Sequence, residues 1–215
     1  MKVSHFALAL AAGLAMAGAA SAQDFEGPSK GSIVLDVRAT VVDPEAGDPI
    51  LTAANVDTTL DANVGTSTIP SLGIRYFVTD NIAAELILGT SRHTIDATTI
   101  PVATTWVLPP TLTLQYNFNP KGRVNPYVGA GVGYMMFYST KDKTGFANTN
   151  VEDGFSTVLQ AGVDVATTGR WSLNADVKKV FYSGTATTTQ LPATALHSDV
   201  KLDPWVVSLG IGYRF

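Results

Sequence analysis

Histidine is the side chain best suited to acid–base chemistry near neutral pH, and this sequence contains only three. His5 lies in an N-terminal segment that we expect to be removed, which leaves His93 and His197. His197 is followed directly by Ser198 and Asp199, whereas the members of a Ser-His-Asp site come from separate segments. We therefore expect no enzyme. If the protein were nevertheless an enzyme, His93 or His197 would have to lie beside a serine or aspartate at the outer rim of the barrel predicted below.

Metal and cofactor chemistry is equally weakly supported. The chain has no cysteine, which excludes thiolate ligands and thiolate nucleophiles. Asp142, Glu152 and Asp153 could hold a divalent cation weakly, but their setting is more typical of a solvated loop. We predict no metal site and no cofactor. With 14 basic against 18 acidic side chains and no Lys/Arg cluster, we also expect no nucleic-acid partner.

In several segments of the chain apolar residues alternate with small or polar ones. Eight charged residues occupy the small and polar positions of these segments. Four are acids and four are bases: Asp36, Arg38, Arg75, Glu85, Asp164, Asp176, Lys178 and Arg214. Isolated buried charges are costly, so the balanced signs predict a paired interior network. With a turn centred near Asp80, Arg75 and Glu85 should face each other and form a direct ion pair. Such a network could plug the whole interior or close one end only.

Toward the other end of these segments, the positions that would face the same interior are occupied by apolar residues. They are Ile87, Met135, Phe137, Val158, Val180 and Tyr182. Polar side chains would line a water-filled pore there. The apolar set predicts a hydrophobic pocket open to the outside that suits a small hydrophobic molecule. Tight packing of an occluded interior explains the same residues equally well.

Pro109 and Pro110 are adjacent within one of the predicted strands. Neither has a backbone N–H, so neighbouring carbonyls lose partners, which is expensive in lipid. The pair predicts either a place where the wall opens laterally or a bulge above the hydrocarbon. Lys179 interrupts an outward apolar pattern, and we expect its ammonium to reach the outer interface.

The elements that would position these residues are strands, because the alternation has a period of two. We predict strands at 32–42, 68–78, 82–93, 106–118, 125–140, 153–166, 171–182 and 205–215. Long loops are expected at 43–66, 94–105, 141–152 and 183–198, and tight turns at 79–81, 119–122 and 167–170. Eight strands with alternating long and short connections predict an all-β, eight-stranded antiparallel up-and-down transmembrane barrel with both termini on the periplasmic side.

The last strand shows the membrane signature most clearly. From Trp205 to Phe215 the odd positions are apolar or aromatic and the even positions are mostly small or polar. Ten tilted residues span roughly 25 Å, the height of the lipid-facing band of an outer-membrane barrel. Aromatic residues near strand ends are expected to form interfacial girdles: Tyr76, Phe118, Tyr127, Trp171, Tyr213 and Phe215. A soluble barrel or sandwich would also alternate, but it would carry more charge on its polar face.

The N-terminus predicts export. Lys2, an apolar run and the small residues 20–22 form a signal peptide, with cleavage expected after Ala22. No other apolar run reaches 18 residues, as a membrane helix would require. Residues 23–215 should form a single domain in the cell outer membrane.

Several segments resemble the OmpW family of small outer-membrane proteins. They are residues 79–86 (TDNIAAEL), 108–112 (LPPTL), 126–131 (PYVGAG), 202–205 (LDPW) and 212–215 (GYRF). The resemblance implies an eight-stranded barrel with a narrow hydrophobic channel that releases small hydrophobic compounds laterally into the membrane. Gating residues of the family align with Ile87 and Lys178, although an aromatic is expected where Lys178 stands.

The function favoured by these observations is passive uptake of small hydrophobic molecules through an outer-membrane channel. The alternative is a plugged structural or surface-interaction barrel, serving as a receptor or in stress, without transport. Expected partners are outer-membrane lipid, small hydrophobic solutes and, as in similar proteins, the barrel-assembly machinery through Phe215.

Overall fold

The computed structural model describes residues 26–45 and 47–215, so the predicted signal peptide lies outside the described residues. The described chain forms fifteen strands: β1 (Ile33–Asp43), β2 (Asp48–Thr52), β3 (Asp57–Val64), β4 (Ser67–Phe77), β5 (Ile82–Gly89), β6 (Ser91–Ala97), β7 (Ile100–Leu108), β8 (Thr111–Asn117), β9 (Val124–Asp142), β10 (Phe146–Val151), β11 (Gly154–Ala166), β12 (Trp171–Phe181), β13 (Ser183–Gln190), β14 (Thr194–Lys201) and β15 (Trp205–Arg214). Within these residues no helix is long and apolar enough to cross a membrane.

Eight of the strands close into an antiparallel barrel. Its order is β1, β4, β5, β8, β9, β11, β12 and β15, and β15 pairs back onto β1. Closure leaves no sheet edge in the membrane, where unpaired backbone groups would be costly. The eight-stranded antiparallel barrel predicted from the alternating pattern is confirmed.

The four long connections are not loops, as the sequence predicted, but further strands. The first contains β2 and β3, the fourth contains β13 and β14, and all of them extend the sheet beyond the barrel in the order β10-β13-β14-β2-β3-β6-β7-β9. These strands are short, and several pairings shift register. Their sequences therefore lack a sustained period of two, which is why they resembled loops.

Two of the predicted strands are each divided near the same height. The third predicted strand becomes β5 and β6 with a break at Thr90. The fourth becomes β7 and β8 with a break at Pro109 and Pro110, because proline cannot donate to the ladder. The two breaks are neighbours in the barrel wall.

The outward face of the barrel is apolar and carries aromatic residues at both rims. Near the periplasmic turns, Tyr213 packs edge-on against Trp171 and Phe215, with ring centroids 4.8 and 4.9 Å apart. At the outer rim Trp106 stacks on Tyr138 at 6.4 Å. The girdle position predicted for Tyr127 is wrong. Its ring is 1% exposed and faces the interior, because its parity is that of the lumen.

Lys179 marks the outer interface, as its place on the outward face predicted. Its ammonium is 2.9 Å from a carboxylate oxygen of Glu45 and 5.0 Å from the centre of the Trp205 ring. The Trp205 indole N–H also donates to Glu45, at 3.0 Å. The hydrogen bond from the Lys179 ammonium lowers the pKa of the Glu45 carboxyl, which lies outside the barrel strands.

Candidate functional site

The lower half of the barrel interior is filled by a polar network centred on Arg75. The Arg75 guanidinium donates to both oxygens of Asp36, at 2.9 and 3.0 Å, and to both oxygens of Asp164, at 2.5 and 3.0 Å. Arg75 comes from β4, Asp36 from β1 and Asp164 from β11. Two bidentate contacts therefore connect opposite walls of the barrel.

A second set of contacts surrounds Glu85. Arg38 donates to Glu85 at 2.5 Å, and the side-chain amides of Gln115 and Gln160 donate to the other Glu85 oxygen, each at 2.7 Å. Arg38 also lies 3.2 Å from Asp36, which joins this set to Arg75. Glu85 is fully buried, and these donors replace the water that its carboxylate has lost.

Asp176 completes the network below the cavity. It accepts hydrogen bonds from the Tyr127 hydroxyl at 2.8 Å and from Gln160 at 2.7 Å, and it forms an ion pair with Lys178. Asn174 donates to both Tyr127 and Asp164. The result is a continuous set of contacts across the barrel.

Two details of the predicted network differ from the structure. Arg75 and Glu85 are partners in the strand register, but among the described residues no ion pair within 4.0 Å joins them. Closure of the barrel instead gives Arg75 the partners Asp36 and Asp164 and gives Glu85 the partner Arg38, which a single hairpin could not reveal. Arg214 lies at the periplasmic rim and pairs with Glu26 at 3.9 Å, apart from the network.

Glycines in the wall make room for these large side chains. A Cβ at Gly162 would lie 2.4 Å from the Tyr127 hydroxyl, and one at Gly212 would lie 2.5 Å from an Asp36 oxygen. The alternate glycines of the predicted strands are the sequence signal for this crowding.

Above the network lies a cavity of about 120 Å³. Of the residues predicted to line a lumen, Ile87, Met135, Phe137, Lys178 and Val180 contact this cavity. Val158 and Tyr182 do not. Both are almost fully buried: Val158 is 1% exposed, and Tyr182 packs behind Phe137 with ring centroids 5.9 Å apart.

The upper walls of the cavity were not predicted from the sequence. Their apolar side chains come from connections predicted to be loops and from the end of the last connection: Val64, Ile95, Val151, Val200 and Leu202. Short apolar alternations such as Val200 and Leu202 around Lys201 were the available signal. They were too brief to separate from loop composition.

Hydroxyl groups and one cation form the floor of the cavity. The Thr40 hydroxyl lies 2.7 Å from that of Ser71 and 2.9 Å from that of Ser208. Ser156 and Lys178 line the same region, and no acidic residue is among the described residues that line the cavity.

The cavity reaches a place beside the two prolines where the pairing of neighbouring strands is interrupted. β5 pairs with β8 as far as Ile87 and Thr111, and β6 pairs with β7 from Ser91 and Val107. Within the described residues, 88–90 and 108–110 have no ladder partners across this junction. We call these six residues the seam. Ile87, Gly89, Pro109 and Thr111 line the cavity beside it.

A smaller recess of about 40 Å³ lies among the outer strands. It is lined mainly by apolar groups, including Ile50, Val102 and Leu196. Ala62, Ile95 and Ala186 line both the recess and the cavity. These three residues therefore stand where the two spaces meet.

The predicted chemical residues occupy structural positions. His93 donates from Nδ1 to the Gly65 carbonyl at 2.7 Å, and its Nε2 lies 2.8 Å from the Ser91 hydroxyl. A backbone carbonyl thus stands where a catalytic carboxylate would orient the ring. His197 pairs with Thr187 and Leu51 in the outer sheet. Residues 27–31 (GPSKG) also have the G-x-S-x-G spacing, which was not among the residues predicted to do chemistry. They fall in the turn before β1, without the strand-to-helix setting of a nucleophile elbow.

The three acids considered as cation ligands bind backbone N–H groups instead. Asp142 accepts from Thr149 and Asp153 accepts from Phe137, while Glu152 accepts from Thr185. In the described part of the chain no group of three His, Cys, Asp or Glu residues is placed to hold a metal ion.

A closed eight-stranded barrel with an apolar outer band, aromatic girdles and a polar interior defines an outer-membrane β-barrel protein. The model of the OmpW family matches residues 29–215. The chain therefore belongs to the OmpW family and resides in the outer membrane.

Individual proteins agree with this assignment. The chain is 43% identical over 158 residues to the uncharacterized outer-membrane protein y4mB of Sinorhizobium fredii, covering 72% of this chain and 69% of that one. It is 30% identical to outer membrane protein W of Vibrio cholerae over 94% of this chain and 97% of that protein. The crystal structure of OprG from Pseudomonas aeruginosa superposes with a TM-score of 0.83 at 25% identity, covering 89% of this chain and 99% of OprG.

Proposed function

We propose that the protein is a passive channel through which small hydrophobic molecules enter the outer membrane, without chemistry and without a cofactor. The observation that supports this most directly is the cavity, which has apolar walls and a floor closed by the Arg75 network. A water-filled pore would need a continuous polar path. Here the described interior below the cavity is occupied by paired side chains, so a solute has no straight route to the periplasm.

The seam provides the proposed exit. Pro109 and Pro110 contribute no N–H, and their carbonyls accept instead from the Thr111 hydroxyl at 3.0 Å and the Tyr134 N–H at 3.1 Å. No ladder bond joins residues 88–90 to residues 108–110, so the wall can separate there once the Thr90 hydroxyl releases the Val107 carbonyl, to which it donates at 3.2 Å. Because the cavity reaches this position, a solute could pass sideways into the hydrocarbon.

Uptake of a hydrophobic probe by cells with and without the protein tests the proposal. Ile87→Trp places a bulky ring in the cavity and should reduce uptake to near the level of cells lacking the protein. Leu86→Trp is the matched control, because Leu86 is 37% exposed on the lipid face of the same strand. Uptake that is unchanged both by the protein's absence and by Ile87→Trp would contradict the channel and favour a plugged surface barrel.

A further inference from the structure

We propose that the floor of the cavity binds the polar end of an amphipathic solute whose head group is uncharged and accepts hydrogen bonds, such as an alcohol, an aldehyde or a ketone. This rests on the proposed function, because it names the chemical class of solute that the channel selects. The inference begins with Lys178, the only Lys or Arg side chain among the described residues that line the cavity.

Lys178 has unused hydrogen-bonding capacity. An ammonium group carries three N–H donors. Among the described residues the Lys178 ammonium donates to one acceptor, Asp176, and its side chain is 5% exposed. Buried donors without acceptors are unfavourable. A solute group that accepts hydrogen bonds would supply what is missing.

The surroundings of Lys178 match an amphipathic molecule. Thr40, Ser71 and Ser208 form a hydroxyl cluster that lines the same cavity, and Ser208 is the strand partner of Asp176, two residues from Lys178. Val180, two residues along the inward face of β12, is apolar, as are Met135 and Val107 in the wall. A molecule with its polar end at Lys178 and its apolar part toward these side chains would satisfy both regions.

The charge balance favours an uncharged head group. The buried network contains four carboxylates, those of Asp36, Glu85, Asp164 and Asp176, against the three cations Arg38, Arg75 and Lys178. With all groups ionised the network already has one negative charge in excess. A carboxylate solute would increase that excess in a buried site, whereas a hydroxyl or carbonyl oxygen would accept from Lys178 without adding charge.

Displacement of a fluorescent apolar probe from the protein in lipid nanodiscs tests the assignment. The competitors are octane, 1-octanol, 2-octanone and octanoate, each corrected for partitioning into protein-free nanodiscs. For the wild-type protein, 1-octanol and 2-octanone should displace the probe at concentrations on the order of tenfold lower than octane. Octanoate should compete less well than 2-octanone.

Lys178→Met should abolish the advantage of the polar competitors over octane. Lys179→Met is the matched control: it removes an identical ammonium from the next residue, which lies on the outward face beside Glu45 and Trp205. The control should retain the wild-type order of competitors. If Lys178→Met retains that order as well, or octanoate competes best, the assignment is overturned.

A double variant covers the case in which Lys178→Met does not fold because Asp176 is left unpaired. Asp176→Asn combined with Lys178→Met removes both charges, and the introduced amide oxygen can still accept from Tyr127 and Gln160. This variant should show the same loss of preference. If octane and 2-octanone compete equally at the wild-type protein, only the head-group assignment fails. If no competitor displaces the probe from the wild-type protein, the proposed function itself fails.

Discussion

Lys178 and Lys179 are adjacent in the sequence, yet their ammonium groups lie in opposite environments. Lys178 points into the barrel and pairs with Asp176 beneath the cavity, while Lys179 points outward and pairs with Glu45 at the outer rim. Successive side chains of a strand face opposite sides of the sheet, so this separation follows from the pleat of β12. The same alternation separates the lipid-facing surface from the proposed binding surface throughout the barrel.

Arg75→Met should strongly destabilise the barrel. It would leave Asp36 and Asp164 without their bidentate partner, and loss of one member of a buried ion pair costs about 3–5 kcal/mol. The free energy of unfolding, from urea titration in lipid vesicles, measures this. Arg92→Met is the control, since Arg92 is exposed and its loss should change stability by less than about 0.5 kcal/mol. Equal effects of the two substitutions would contradict a stabilising role of the network.

Replacement of both Pro109 and Pro110 by alanine should close the seam. Alanine restores two backbone N–H groups that can pair with residues 88–90. Hydrogen–deuterium exchange at Leu88, Gly89 and Thr90 should become slower, and uptake of a hydrophobic probe should fall. Slower exchange with unchanged uptake would show that solutes do not leave through the seam.

Large side chains at the junction between the outer recess and the cavity should restrict access to the cavity. Ala62→Phe and Ala186→Phe place rings between the two spaces, so uptake should fall more for bulky solutes than for narrow ones. Ala161→Phe is the control, because Ala161 is exposed on the lipid face. Equal uptake by all three variants would mean that solutes reach the cavity by another path.

Acidification should loosen the wall near His93, which lies in the outer strand β6. His93 pairs with Thr105, one residue beyond Trp106 toward the outer side, and its burial lowers the pKa of the imidazole. Because the folded pKa lies below the ordinary value of 6.5, the contribution of neutral His93 to stability is present above pH 6.5 and is lost as the pH falls through the folded pKa.

Exchange of the amides at 91–94, corrected for its intrinsic pH dependence, should therefore accelerate below pH 6.5. His93→Gln keeps a donor for the Gly65 carbonyl but does not titrate, so its corrected exchange should be independent of pH in this range. A wild-type profile that is equally flat would exclude His93 as the titrating group.

Local sequence signals were strong wherever a strand had to satisfy lipid on one face and a filled interior on the other. Positions 205–215 alternate without interruption, and β15 begins at Trp205 and ends at Arg214. The strands that extend the sheet beyond the barrel do not have to satisfy lipid on one face and a filled interior on the other. Residues 183–190 are rich in threonine and contain no sustained apolar parity, so β13 could not be distinguished from a loop.

By itself the sequence determined that this is an eight-stranded outer-membrane barrel. It also determined which charges face the interior and that two prolines interrupt one strand. These properties depend on local periodicity. Only the tertiary structure decided which charges pair and where the cavity lies. Closure brings β1, β4 and β11 together around Arg75, and the outer strands complete the apolar walls above Lys178. Such contacts depend on barrel radius and register, which join residues far apart in the chain and leave no periodic trace.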